Sequence, residues 1–265
     1  MAIITLLSDF GTRHWHVAAL KGTIERVIPG AHVVDISHDL KFEDNTLAAL
    51  VLRYAWPHFP ANTLHFVSVD AAPHGNFPYV AAKFGGQYFL CKDDGFLSMM
   101  LNGEEPEILM DISNVVPPGY TPLFAARDIY VKVAALILSG TPLQSIGLPR
   151  PQLTPKLLVA PTFGPDHIQG AVLYTDPWGN ACTNITKDLF QRVGAGRPME
   201  ILLKRPSNTL RRIHRSYAEV PDGELLALFN SVNHLEIAIH RGSARQYCGL
   251  EPGDQVRIQF FASPR

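Results

Sequence analysis

The chain lacks the features that mark a membrane protein or a nucleic-acid-binding protein. No apolar stretch in its 265 residues reaches the roughly 20 residues that a membrane helix needs. Its 23 lysines and arginines balance 24 aspartates and glutamates, and no long basic run occurs. The basic cluster at residues 211–215 is short and typical of a solvated segment. We therefore expect neither a membrane nor a nucleic acid as a partner.

Cysteine is also scarce. Cys91, Cys182 and Cys248 are far apart, and this spacing is typical of neither a disulfide framework nor a metal site. We expect three small apolar side chains in reducing surroundings. The first residues already follow a strand pattern and show no charged leader, so we expect a cytoplasmic protein.

Two frequent enzyme signatures are missing. No Gly-x-Gly-x-x-Gly run follows the first strand, which argues against the dinucleotide cradle of a Rossmann oxidoreductase. No Gly-x-Ser-x-Gly elbow occurs, so a Ser-His-Asp hydrolase has no support. The composition is nevertheless that of a folded protein with a sizeable core, since 46% of residues are hydrophobic and 18% are charged.

Residues 1 to about 150 alternate strand and helix signals. The strongest signals are apolar strands at residues 3–7 and 64–69 and helices at residues 17–28, 45–54 and 128–138. The pair Gly85-Gly86 predicts a hairpin between two further strands. This alternation predicts a three-layer α/β/α domain with a mostly parallel sheet.

The second half of the chain has a different pattern. Residues 149–165 are rich in proline and predict an interdomain connection. The segments that follow predict short strands at residues 169–174, 199–203, 225–229, 235–240 and 255–261. Such spacing indicates a smaller all-β barrel or sandwich. We therefore predict two domains, at residues 1–155 and 156–265.

The first strand leads directly into Ser8-Asp9-Phe10-Gly11. Ligands of open α/β sheets bind at the carboxyl ends of the strands. A carboxylate at this place suits a ribose diol, because one aspartate accepts hydrogen bonds from two hydroxyls. Taken alone, the segment favours the simpler interpretation that Asp9 caps the following helix or orders the turn.

Further motifs follow Ser8-Asp9-Phe10-Gly11 in order along the chain. They are Val34-Asp35-Ile36-Ser37-His38, Asp94-Gly95-Phe96-Leu97-Ser98, Arg127-Asp128, Thr175-Asp176-Pro177-Trp178-Gly179-Asn180 with Thr183-Asn184-Ile185, and Asn230-Ser231. With this set the chain resembles the S-adenosylmethionine hydrolases, also called SAM hydroxide adenosyltransferases, a family that includes the fluorinases and chlorinases. Each motif alone is weak, but the resemblance extends in register from Ile3 to about Val256.

The resemblance implies a homotrimer whose subunits enclose S-adenosylmethionine, and it implies roles for individual residues. Asp9 matches the aspartate that binds the ribose hydroxyls, and Phe42 stands where fluorinases have a tryptophan beside the ribose. Trp178 matches the aromatic residue that stacks on adenine, and Tyr217 aligns with the opposite face. Asn180 matches the amide that reads the adenine edge with its donor and acceptor.

Three more positions complete the implied substrate site. Asp176 and Ser231 match groups that hold the amino and carboxylate ends of the methionine part, and Phe124 belongs to the run at residues 123–128. Taken singly, the aromatic, amide and hydroxyl residues favour the simpler interpretation of ordinary places at a barrel rim, a turn or a strand end. Taken as a set in the register of the family, they favour ligand binding.

The catalytic region departs from the family pattern. Asp70 is retained, but the following loop lacks the arginine of the hydrolases and offers only Asn76 or Phe77. The family histidine before Gly-Arg-Asp is replaced by Ala125. Ala126 stands where the halogenases grip halide with a serine, so halogenation is not expected.

The reaction that the family implies needs few groups. Water or hydroxide attacks the ribose C5′, and neutral methionine leaves from a sulfonium, so we expect no general acid for the leaving group and no metal or organic cofactor. The enzyme must aim the nucleophile and take up its proton. Asp70 is the expected group for this step. His74 on the same loop either assists Asp70 or is a solvent-exposed loop residue.

Three functions stay open at this point. The first is hydrolysis of S-adenosylmethionine to adenosine and L-methionine. The second is binding of S-adenosylmethionine or adenosine without chemistry, as a sensor or buffer. The third is a different nucleoside ligand, since His14 replaces an aspartate that the family often has near the methionine end.

Overall fold

Two units make up the chain, Met1–Leu158 and Val159–Arg265. The structure is a computed structural model, and it describes residues 1–41, 44–73, 77–205 and 208–262. Within these ranges no helix is long and apolar enough to cross a membrane. The roles predicted for domains at residues 1–155 and 156–265 stay predictions.

A seven-stranded sheet forms the centre of the first unit. Its strands are β1 (Ile3–Ser8), β2 (His32–Ser37), β3 (Leu64–Ser68), β4 (Tyr79–Phe84), β5 (Gln87–Lys92), β6 (Ile108–Asp111) and β7 (Leu148–Pro149). Its helices are α1 (Trp15–Val27), α2 (Asn45–Ala55), α3 (Phe96–Leu101) and α4 (Val131–Leu138). In the sheet order β2-β1-β3-β5-β4-β6-β7, only β4 and β7 run against the other strands. Five of the seven strands therefore run in the same direction, so the sheet is mostly parallel, as predicted.

Side chains alternate along the buried strands and give this sheet two apolar faces. Leu6 and Phe66 belong to a core cluster that includes residues of α1 and α4. The next residues, Leu7 and Val67, belong to a cluster that includes residues of α2 and α3. Because successive side chains of a strand point to opposite faces, the two clusters lie on opposite sides of the sheet. The predicted three-layer α/β/α arrangement is confirmed.

The parallel strands bring their carboxyl ends to one edge of the sheet. Ser8 at the end of β1 is opposite Ser68 at the end of β3. Strand β5 runs parallel to β3 on the other side and ends at Lys92. The edge therefore brings Asp9 after β1, Asp70 after β3 and Lys92 within one neighbourhood.

The helix predicted at residues 128–138 begins earlier than expected. Ala126–Tyr130 forms a π-helical turn, and α4 continues the helix from Val131 to Leu138. Turns of this kind contain an additional residue and are frequent at functional sites. The sequence pattern predicted the helix but not this local widening at its start.

The second unit is built from antiparallel strands with two short helices. Its strands are β8 (Thr162–Phe163), β9 (His167–Thr175), β10 (Ala181–Thr186), β11 (Met199–Leu202), β12 (Ile213–His214), β13 (Leu225–Phe229), β14 (His234–Ile239) and β15 (Gln255–Phe260). The helices are α5 (Lys187–Gly194) and α6 (Ala244–Cys248). The strand order is β11-β15-β9-β10-β14-β13-β12, and β8 pairs with β9. Among these pairs only β12 and β13 are parallel.

Strand β9 curls this sheet. Its first half pairs with β15 and its second half pairs with β10. At the bend, Gly170 leaves no room for a side chain, because a Cβ atom would lie 2.4 Å from Cγ1 of Ile185. The curled sheet encloses an apolar cluster that includes Ile168 and Ile237. The prediction of a smaller barrel-like β domain is confirmed, whereas the short helices α5 and α6 were not predicted.

Candidate functional site

The first unit contains a cavity of about 530 Å³ at the carboxyl edge of its sheet. The cavity is lined by Asp9, Phe10, Trp15, His16, Ser68, Asp70, Ala71, Ala72, Leu123, Phe124, Ala125 and Arg127. Three of the sequence-predicted residues, Asp9, Asp70 and Phe124, lie here together. The cavity therefore combines two carboxylates with an aromatic wall.

Asp9 and Asp70 are adjacent because β1 and β3 are parallel neighbours. The backbone N–H of Asp70 donates a hydrogen bond of 2.9 Å to Oδ2 of Asp9. Burial raises the pKa of the Asp9 carboxyl above its ordinary value, and the Asp70 carboxylate adds to that increase. The Asp70 N–H and the charge of Lys92 act in the opposite direction. The pair is a compact acceptor site for hydroxyl groups or water.

Asp70 has an unusual backbone conformation. Its φ angle is +47°, in the left-handed region that residues other than glycine, asparagine and aspartate rarely adopt. Only 8% of the residue is exposed. Its N–H is bonded to Asp9 and its carbonyl oxygen accepts from Lys92, so the carboxylate is presented from a fixed backbone.

Aromatic rings form part of the wall of this cavity. Phe124 packs edge-on against Phe10, with ring centroids 5.2 Å apart, and lies 5.8 Å from His16. Trp15 stacks on His16 at 4.1 Å, although 59% of Trp15 is exposed. The guanidinium of Arg127 lies 5.2 Å from the Phe124 ring centre. An apolar wall of this kind excludes water from one side of a bound ligand.

Arg127 is oriented by its neighbour on the π-helical turn. Its Nε donates to Oδ1 of Asp128 at 2.7 Å, and the hydroxyl of Tyr120 donates to Oδ2 at 2.8 Å. Burial acts to raise the pKa of Asp128, but the hydrogen bonds from Arg127 and Tyr120 outweigh it and lower the pKa. Arg127 thus presents a positive charge with a fixed direction at the cavity wall.

The second unit contains a larger cavity of about 810 Å³. It is lined by Asp176, Trp178, Asn180, Tyr217, Ile239, His240, Arg241, Gly242, Ser243 and Gln246. Four sequence-predicted residues, Asp176, Trp178, Asn180 and Tyr217, therefore lie together. The turn between β9 and β10 supplies the first three of them.

The Asp176 carboxylate organises this turn. Its Oδ1 accepts from the backbone N–H groups of Trp178 at 3.0 Å and Asn180 at 2.8 Å. Its Oδ2 accepts from Nδ2 of Asn180 at 2.9 Å. Both carboxylate oxygens are thus bonded within the turn, as in an Asx turn. The role predicted for Asp176 at the methionine end stays a prediction.

Gly179 allows the turn to pack against α6. Its φ is +86°, and a Cβ atom would lie 2.0 Å from Oγ of Ser243. The Gly179 carbonyl accepts a 2.8 Å hydrogen bond from the N–H of Arg245 in α6. The turn is fixed on one side, whereas Trp178 remains 75% exposed. A large flat ring is therefore held at the cavity with one face available.

Tyr217 is held from below by a buried carboxylate. Its hydroxyl donates to Oε1 of Glu236 at 2.7 Å, and Nδ2 of Asn230 donates to Oε2 at 3.2 Å. Glu236 is only 6% exposed. Burial and the hydrogen bond to Glu236 raise the pKa of Tyr217 well above its ordinary value. The ring orientation of Tyr217 is therefore fixed by its hydroxyl.

One predicted residue that the structure describes lines neither cavity. Ser231 lies exposed in the turn between β13 and β14. Phe42 and His74 lie outside the described residues. The sequence reasoning also missed two buried charged residues, Lys92 and Glu236, because each is a single charged residue within an apolar strand and its partner is distant in sequence.

Comparison with known proteins agrees with these observations. Residues 4–147 match the model of the SAM hydroxide adenosyltransferase N-terminal domain, and residues 170–257 match that of its C-terminal domain. The chain belongs to this family. The two matched segments contain the two cavities described above.

Relatives within the family differ in their similarity to this chain. The (R)-S-adenosyl-L-methionine hydrolase of Thermus thermophilus is 31% identical over 268 residues, which cover 97% of this chain and 100% of the relative. A fluorinase of Actinopolyspora mzabensis is 23% identical over 288 residues, which cover 97% and 96%. The crystal structure of an uncharacterized conserved protein from Thermotoga maritima has a TM-score of 0.86 and 27% identity, over 96% of this chain and 99% of that chain.

Proposed function

We propose that this protein hydrolyses S-adenosyl-L-methionine to adenosine and L-methionine. The observation that carries the proposal is the Asp9–Asp70 pair in one cavity of a chain that is 31% identical to a hydrolase of this substrate. Asp9 accepts from the ribose hydroxyls, and Asp70 orients a water molecule toward C5′ and takes up its proton. The second carboxylate supplies the base that hydrolysis requires in addition to the ribose contact.

The reaction proceeds without a metal or an organic cofactor. The water oxygen forms a bond to C5′ while the bond from C5′ to sulfur breaks. The electron pair of the broken bond goes to the sulfonium sulfur. Methionine therefore leaves as a neutral thioether and needs no proton. The proton lost by the water passes to Asp70 and then to solvent.

Water rather than halide is the proposed nucleophile. Ala125 and Ala126, at the positions of the family histidine and the halide-binding serine, are 2% and 0% exposed and carry no polar side chain. A desolvated halide would have no side-chain donor at these positions. The identity of 31% to a hydrolase against 23% to a fluorinase supports the same choice.

Incubation of the purified protein with S-adenosylmethionine tests the proposal. The relative from Thermus thermophilus is named for the (R) form, so the two sulfonium diastereomers are assayed separately and the products are separated by chromatography. Equimolar release of adenosine and methionine from either form supports hydrolysis. Binding of adenosine without release from either form would favour the sensor or buffer, and neither result would favour another ligand.

The adenine base is proposed to bind in the cavity of the second unit. A carboxylate can only accept hydrogen bonds. The side-chain group of Asn180 that lies next to Oδ2 of Asp176 is therefore its NH2 group. Among the described residues none donates to Oδ1 of Asn180, which is left as an acceptor for the ligand. Such an acceptor matches the 6-amino group of adenine and opposes the 6-oxo group of hypoxanthine.

We therefore expect adenosine to bind about 10-fold more tightly than inosine, a difference of about 1.4 kcal/mol. Calorimetry with both nucleosides measures this ratio. The Asn180→Ala variant should lose the preference, and Asp176→Asn should reduce it because an amide partner no longer fixes the orientation of Asn180. Equal affinities of the wild type for the two nucleosides would contradict this role of Asn180.

A homotrimer with ligand enclosed between subunits is part of the proposal. Each cavity has large exposed apolar residues among its lining, including Trp15, Leu123 and Trp178, and such residues mark surfaces that bind partners. Sedimentation equilibrium should give three times the chain mass of 29.3 kDa. A mass of one or two chains would contradict the trimer. A cytoplasmic location is also proposed, supported by three buried cysteines without disulfide bonds.

A further inference from the structure

A buried lysine lies beneath the cavity of the first unit. Lys92 is the last residue of β5, and its side chain is 2% exposed. Its Nζ donates to the carbonyl oxygens of Asp70 at 2.5 Å and Ala72 at 3.4 Å. It also lies 3.5 Å from Oδ2 of Asp70 and 3.9 Å from Oδ2 of Asp94. A charge removed from water needs such partners, because it is costly without them.

The bonds from Lys92 are part of a set that holds the backbone of residues 70–72. Tyr79, the cross-strand partner of Lys92, donates its hydroxyl to the carbonyl oxygen of Ala71 at 2.9 Å. The carbonyl groups of Asp70, Ala71 and Ala72 are thus all held from β4 and β5. Since Asp70 has a φ of +47°, these bonds stabilise a backbone conformation that is otherwise unfavourable.

Lys92 also supplies a positive charge beside Asp70 that the segment after Asp70 does not provide. Residues 71–78 contain neither arginine nor lysine. Two carboxylates, Asp9 and Asp70, line the same cavity, and their like charges repel each other. The ammonium group of Lys92 next to Asp70 offsets that repulsion. Arg127, in contrast, forms its ion pair with Asp128.

We propose that Lys92 is the positioning residue that holds the Asp70 carboxylate in its reactive orientation and supplies the cation that the following loop lacks. This role rests on the proposed hydrolysis. Lys92 acts through Asp70 and is not among the residues that line the cavity. It therefore affects the chemical step more than substrate binding.

Two substitutions separate the charge of Lys92 from its hydrogen bonds. Lys92→Gln removes the charge and keeps an amide donor, while Lys92→Met removes both. We expect kcat to fall about 10-fold or more in Lys92→Gln and further in Lys92→Met, with KM within about three-fold of the wild type. In an Asp70→Asn background, neither substitution should reduce kcat further. If the Lys92 substitutions reduced kcat by the same factor in the Asp70→Asn background as in the wild type, Lys92 would not act through Asp70.

A matched control separates this role from general stability. Arg150 is the cation of another buried carboxylate, Asp93, with Nη2 2.6 Å from Oδ2. Arg150→Met should lower the melting temperature while leaving kcat unchanged at temperatures well below the transition. Lys83→Met, which removes a surface lysine 3.9 Å from Glu107, should change neither. A loss of kcat in Arg150→Met equal to that in Lys92→Met would reduce Lys92 to a structural role.

A second measurement needs no substrate. Among the described residues, the ionisable groups that line the cavity with Asp9 are Asp70, His16 and Arg127, and the charge of Lys92 outside the lining is one cause that lowers the pKa of Asp9. In Lys92→Gln the 13Cγ resonance of Asp9 should therefore titrate at higher pH than in the wild type. An unchanged midpoint would overturn the proposed charge of Lys92 at this site.

The two measurements keep the proposals distinct. If the wild type releases no adenosine, the proposed hydrolysis fails, and the Asp9 titration alone decides whether Lys92 acts on the carboxylate pair. If neither Lys92 variant folds, the 15Nζ resonance of Lys92 is compared between the wild type and Asp70→Asn. A changed resonance is expected, and identical resonances would overturn the contact.

Discussion

The Asp70→Asn protein is expected to turn over S-adenosylmethionine at least about 100-fold more slowly than the wild type, because a positioned base contributes about 10²–10⁴ to such a step. Asparagine is the appropriate replacement for two reasons. It has nearly the same size, and it tolerates the left-handed backbone that Asp70 adopts with φ of +47°. Alanine would add backbone strain to the loss of the carboxylate. The measurement is kcat together with the Kd of adenosine.

The two carboxylates of the cavity provide a matched pair for this test. Asp9→Asn is expected to raise KM and the Kd of adenosine, since Asp9 is assigned to the ribose hydroxyls. Asp70→Asn is expected to leave the Kd of adenosine within about two-fold, since Asp70 is assigned to the nucleophile. A wild-type kcat in Asp70→Asn would remove Asp70 from the mechanism. If only Asp9→Asn lost kcat, Asp9 would be the residue that acts on the nucleophile, and Asp70 would be the one that binds the ribose.

Much of the first unit follows from local sequence signals. Continuous apolar strands such as Ile3–Ser8 and Leu64–Ser68 are recognisable because both of their faces are buried. The hairpin at Gly85-Gly86 follows from two residues with positive φ. The π-helical turn Ala126–Tyr130 was not predictable, because an apolar helical pattern is the same whether the first turn is α-helical or wider.

The site was predictable only in part, for a physical reason. Asp9 follows β1 directly and Trp178 lies in the turn after β9, so local patterns and family motifs identify them. Lys92 was not identifiable, because its partners Asp70 and Ala72 are 22 and 20 residues away in sequence and meet it only through the pairing of β3 with β5. Glu236 was missed for the same reason, since Tyr217 lies on a separate segment.

The exposure of Trp178 also argues for a ligand. A tryptophan that is 75% exposed gains little hydrophobic free energy on folding, and the turn here holds it in that exposed position. Asp176 accepts hydrogen bonds from the backbone N–H groups of Trp178 and Asn180, and Gly179 packs against Ser243 without space for a side chain. The proposed stacking of adenine would use this exposed ring.

Trp178→Ala is therefore expected to weaken adenosine binding by about 1–3 kcal/mol, or about 5- to 150-fold in Kd. Trp178→Phe keeps a stacking face and should lose much less. Tyr247→Ala removes another exposed aromatic ring, 59% exposed on α6 and not among the cavity-lining residues, and should leave Kd unchanged. Calorimetric titration with adenosine measures all three. An unaltered Kd in Trp178→Ala would mean that adenine does not stack on this residue, and the cavity of the second unit would then have to bind a different part of the substrate.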